Sequence, residues 1–168
     1  MKGKWAQGIA PRNFSWVIKG QLAVSERPGG YGASHRRVRR QEEIIWLREQ
    51  GFSRVVSLLT SPHNLHIYDE MDMVWVHVPF GRHDDAAQML AQLLPELRRL
   101  LANGERILMH QDAVEDTLQG VIGAYLLYAG LAPDEPRGVE MAELLLSRPL
   151  SSSGRELVTL AGQLSADL

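Results

Sequence analysis

The chain has 168 residues, of which 45% are hydrophobic and 23% charged, and its 18 basic and 20 acidic side chains leave a net charge of −2. That length buries a core of its own, and the near-neutral balance gives no whole-chain attraction to nucleic acid or anionic membrane. The absence of cysteine excludes disulfides, thiolate metal sites and cysteine nucleophiles together.

No apolar run reaches the roughly 18 residues of a membrane span. Met1-Lys2-Gly3-Lys4-Trp5 has positive charge without an apolar h-region, so no signal peptide is expected and a cytoplasmic home is.

Residues 1–12 read as a lead-in. Phe14 to Ile18 alternates as a strand, Lys19-Gly20 turns, and Gln21 to Val24 reads as a second strand. Glu26-Arg27-Pro28-Gly29-Gly30-Tyr31-Gly32 is a glycine-rich loop. It lacks the spacing of a nucleotide-binding glycine motif and is expected at the surface. Ser34 offers an N-cap for a helix that Gly51 stops, with Val38, Ile44, Ile45 and Leu47 on the inward face.

Arg54 to Leu59 is a β-branched run expected to be a buried strand, followed by a short helix near Pro62 to Tyr68 and a strand from Met73 to Val78. Asp84 or Asp85 is placed to cap a long helix through Leu101, inside which Pro95 should produce a kink. Arg106 to Met109 reads as a short buried strand, and helices are expected over 113–129, 135–147 and 153–165. Ser151-Ser152-Ser153 reads as a cap for the last. Strands alternating with helices predict a three-layer α/β domain. Its central, mostly parallel sheet should have about four or five strands flanked by helices. One domain over 13–168 is the economical organisation.

The informative stretch is Ile107-Leu108-Met109-His110-Gln111-Asp112-Ala113-Val114-Glu115-Asp116-Thr117-Leu118-Gln119-Gly120. There a buried strand runs through a loop into an apolar helix, the place where open α/β sheets gather ligands.

With Asn13-Phe14-Ser15-Trp16-Val17-Ile18, Gly20 and Leu22-Ala23, the chain resembles the small atypical dual-specificity members of the cysteine-dependent protein tyrosine phosphatases. The likeness continues through Arg54-Val55-Val56-Ser57-Leu58, Val78-Pro79, His110, Ala124-Tyr125-Leu126-Leu127 and Arg148-Pro149, in order from about residue 13 to 165. The resemblance implies a signature of His-Cys, five residues, Arg, then Ser or Thr. Laid on this chain, His110 matches the histidine, a residue with a structural role in the family's loop. Gln111 stands at the nucleophile, Thr117 at the phosphate-clamping arginine and Leu118 at the hydroxyl. The loop glycines fall on Val114 and Asp116, and the general acid's place after Pro79 is taken by Phe80.

Asp112, Glu115 and Asp116 also make the loop acidic. Asp112-Ala113-Val114-Glu115 resembles a capping box, so a helix start near Ala113, a turn early and partly filling the former pocket, is expected. The resulting expectation is a pseudophosphatase with no catalytic residue, cofactor or metal, serving as a binding or regulatory domain whose partner is another protein.

A rival reading keeps an enzyme of altered chemistry. It would use His110 or the acids from Asp112 to Asp116 as base, with or without a metal, for which His110, Asp112, Glu115 and Asp116, joined by His83, Asp84 and Asp85, are the candidate ligands although their spacing matches no standard ligand motif. A third reading is an arm of a larger complex or a homodimer, and the oligomeric state is open. Arg36, Arg37, Arg39 and Arg40 form a basic patch at a helix start. It reads either as a site for a phosphoprotein, acidic partner or nucleic acid, or as a solvated face offset by Glu42 and Glu43; nucleic acid is not favoured.

Overall fold

The computed structural model describes residues 8–30, 37–62, 65–81 and 84–166. The expected cap Ser34 and the patch residue Arg36 lie outside the described residues, as do His83 and part of the glycine-rich loop. The elements in chain order are β1 Ser15–Ile18, β2 Leu22–Glu26, α1 Arg37–Glu49, β3 Arg54–Ser57, α2 His66–Glu70 and β4 Val74–His77. They continue with α3 Ala86–Ala102, β5 Ile107–Gln111, α4 Asp116–Tyr128, α5 Glu135–Leu146 and α6 Ser152–Ala166. No helix among the described residues is long and apolar enough to cross a membrane.

The fold class is α/β, as expected. The five strands form one sheet in the order β1-β2-β5-β3-β4, with β1 antiparallel to β2 and every other pairing parallel. β5 sits in the middle because Ile107, Leu108 and Met109 are apolar on both faces, and all three are fully buried. Its register aligns His110 with Ser25 of β2 and with Ser57 of β3.

The chain divides into two compact units, one holding the chain through Pro79 with Gly104–Ala113, the other Phe80–Asn103 with Val114–Leu168. In the first, Ile44 and Leu47 of α1 pack with Ala23, Val55 and Leu108 of the sheet. An aromatic group adds to this core: Phe14 meets Trp46 edge-on at 4.9 Å and Trp16 stacks on Phe52 at 5.4 Å.

In the second, α4 and α6 approach closely through glycines. A Cβ at Gly120 would fall 2.8 Å from the carbonyl oxygen of Gly154. Gln119, fully buried, ties the helices further by donating from Nε2 to the carbonyls of Ala142 (3.1 Å) and Arg148 (2.7 Å).

Several expected boundaries move. Val38, expected inward, is 65% exposed, because only positions from Arg40 onward on α1 turn to the core. β3 ends at Ser57: Leu58 N still donates to the His110 carbonyl of β5 at 3.0 Å, while Leu59 N turns to the Ser57 hydroxyl at 3.3 Å. α3 runs on through Pro95. Pro95 and Ala91, whose carbonyl loses its helical partner, both lie on the exposed face of α3. Asp85 caps α3, its side chain accepting from Gln88 N at 3.2 Å.

The largest correction concerns the early helix start. α4 begins at Asp116 with Glu115 at the N-cap and no side-chain cap bond, so neither Asp112 nor Ala113 starts a helix. β5 instead stays extended through Gln111, which pairs with Glu26, and the Gln111 carbonyl accepts from Arg27 N at 2.7 Å. Two more ladder positions outweigh one local capping box. Val114, expected on the helix face with Leu118, Val121 and Tyr125, therefore precedes the helix, while those three are buried within it.

Candidate functional site

The residues singled out in the sequence divide between the two units. In the first, the C-terminal ends of β2, β3 and β5 present a polar layer. Ser25, Ser57 and His110 are all fully buried. His110 Nε2 lies 3.0 Å from the Tyr68 hydroxyl, and its Nδ1 has no partner. Burial, then the charges of Arg27 and His77, lower its pKa to about 3, so the ring is neutral. A buried, neutral ring bonded to Tyr68 is placed as a structural histidine and not as an exposed base. Burial likewise pushes the Tyr68 hydroxyl above its ordinary range.

Gln111 is half-buried and turns its amide Nε2 toward the Leu58 carbonyl at 3.4 Å. Asp112 is exposed and meets Arg27 NH1 at 3.4 Å, and Ala113 is half-buried. Arg39 bonds the buried carboxylate of Glu43 at 3.2 Å, and Glu43 also accepts from Gly29 N. Arg37 is exposed and Arg40 is only 8% exposed. The expected patch is thus split between surface and interior.

In the second unit, the Val114 carbonyl accepts from Arg148 NH1 at 3.4 Å, and Glu115 is exposed. Asp116 opens α4 and accepts from both Ser151 N (2.7 Å) and Ser151 Oγ (2.6 Å). Thr117 is half-buried and Leu118 fully buried. Phe80, Asp116 and Thr117 line one cavity of about 490 Å³ together with Asp84, Ser151 and Glu156. Among the described residues, its lining carries three carboxylates and no cation. Among the described residues, no three of His, Cys, Asp and Glu stand together as metal ligands.

No protein-family model matches the sequence, and neither does any curated protein. Solved structures do match. A kinase-associated phosphatase with serine in place of its catalytic-site cysteine superposes with a TM-score of 0.76 at 20% identity, over 95% of this chain and 99% of that one. This chain has the dual-specificity phosphatase fold. A mutant form of Tk-PTP matches at 0.70 and 18% identity over 92% and 97% of the two chains. Human DUSP28 matches this phosphatase fold at 0.65 and 16% over 94% and 100%. In a chain without cysteine, the nucleophile of a cysteine-dependent phosphatase is missing.

Sequence reasoning missed Arg27, Tyr68 and Ser151, the partners of Asp112, His110 and Asp116. They lie 85, 42 and 35 residues away along the chain. Only the pairing of distant segments brings them in, and no local motif announces it.

Proposed function

We propose that this phosphatase-fold chain is a pseudophosphatase, a protein that hydrolyses no phosphoester and acts as a binding or regulatory surface for another protein. The observation that carries the reading is Gln111 at the end of β5, where the resemblance places the nucleophilic cysteine, in a chain that has none. A thiolate attacks phosphorus at neutral pH because it is nucleophilic and its acidity is tunable; a carboxamide is neither nucleophile nor titratable base.

The remaining positions support the same reading. An arginine would grip two phosphate oxygens through a planar fork, whereas Thr117 brings one uncharged hydroxyl. Phe80, 9% exposed, has no proton to give a leaving group. Asp112, Glu115 and Asp116 add negative charge to the same segment. Like unit charges about 4 Å apart repel by about 1 kcal/mol in water and about 4 kcal/mol at an effective dielectric near 20.

The test is hydrolysis of an aryl phosphate by the full chain. The expected rate is that of buffer alone. Turnover that disappears on changing residues within 110–117 overturns the proposal.

A further inference from the structure

The two edges of the sheet differ. β1 carries a register shift between Trp16 and Ile18, an irregularity of the kind that discourages a further strand. β4 pairs with β3 in unbroken register from Val74 to His77 and contains no lysine, proline or carboxylate to guard its outer side. Val74 is 53% exposed, while Trp75, Val76 and His77 are half-buried.

Val78 N donates to the Ser57 carbonyl at 2.9 Å. Backbone groups along a strand alternate in direction, so Val74 and Val76 also point theirs at β3, and Trp75 and His77 point theirs away from it. Among the described residues, nothing pairs with those two N–H and two C=O groups. At the start of this open edge, Asp69, Asp72, Met73, Val74 and Trp75 line a cavity of about 420 Å³. Trp75 Nε1 donates to Asp69 Oδ1 at 2.9 Å, which fixes the indole beside that carboxylate. Asp69 and Asp72 are exposed, and among the described residues the lining carries no cation. An indole ring accompanied by two carboxylates suits a guanidinium or ammonium group.

We propose that the β4 edge takes up an extended segment of a partner protein as a further strand, with a lysine or arginine of that segment seated in the cavity of Asp69, Asp72 and Trp75. Main-chain bonds to Trp75 and His77 supply the pairing, and the cavity supplies the choice of partner. Charge favours such a segment over a second copy of this chain, because β4 has no lysine or arginine of its own to offer. The edge lies two strands from β5, so it stands whether or not the chain hydrolyses phosphoesters.

The experiment selects linear peptides from a random displayed library on the full chain. The enriched peptide is then titrated into wild type and variant while the NMR signals of the Trp75 and His77 amides are followed. The expected peptides carry lysine or arginine among β-branched residues and shift both amide signals. Methylating the alternate peptide nitrogens that face β4 abolishes binding, and the double variant Asp69→Asn, Asp72→Asn weakens it about fivefold. Asparagine keeps an acceptor for Trp75 Nε1 and tolerates the left-handed backbone at position 72, where φ is 56°. A library that yields no binder, binders without basic residues, binding that survives the methylation, or equal affinity for the double variant overturns the proposal. A dimer that protects the Trp75 and His77 amides from hydrogen exchange puts a second copy on the edge and overturns it as well.

Discussion

The Tyr68 hydroxyl and His110 Nε2 lie 3.0 Å apart in the interior, joining α2 to the central strand β5. With its pKa lowered to about 3 by burial and by Arg27 and His77, His110 stays neutral in the folded chain. Its unfolded counterpart takes up a proton near the ordinary value of about 6.5. Between those values the unfolded state binds more protons, so stability is full above about pH 6.5 and falls as pH drops toward 3. Urea unfolding across that range should show the loss, and His110→Leu should reduce the slope. Tyr68→Phe, which leaves a buried ring nitrogen without its partner, should cost about 1–3 kcal/mol at neutral pH.

Asp116 receives two hydrogen bonds from Ser151, at 2.7 and 2.6 Å, and these fix the start of α4 to the residue before α6. Asp116→Ala removes both and should destabilise by about 1–3 kcal/mol, and Ser151→Ala, which keeps the backbone donor, by less. Chemical denaturation of the two variants checks the order.

Gly120→Ala should be costly although alanine is the better helix former. The added methyl would lie 2.8 Å from both the Gly154 carbonyl and Leu157 Cδ1. Overpacking of this kind costs about 1–3 kcal/mol, more than the helix propensity returns. Thermal melting should place the variant below wild type.

Restoring a thiol should not restore chemistry. Gln111→Cys regains a nucleophile, but Thr117 still supplies no guanidinium and Phe80 no proton. Its rate on an aryl phosphate is expected to match wild type. A rate clearly above it would mean that the remaining loop still holds phosphate.

How much of this was legible in the sequence follows from the range of each interaction. β5 could be read because Ile107, Leu108 and Met109 are a continuous apolar run, and the α/β class because strands and helices alternate. α5 begins at Glu135 as expected, since Asp134 caps it by accepting from Arg137 N at 2.9 Å, a bond made within three residues. The start of α4 was misread because Asp112 and Glu115 carry a valid local capping pattern, while the competing Arg27–Gln111 pairing belongs to a segment 84 residues earlier. The basic patch was visible as a run of arginines. Which one is buried was not, since Arg40 is enclosed by packing against the Gly29 turn.

The claim that the segment after His110 has ceased to be a phosphoryl site is tested most directly by crystals of the full chain soaked in tungstate. The account predicts no anion among the backbone amides of residues 112–117. A tungstate held by those amides would contradict it.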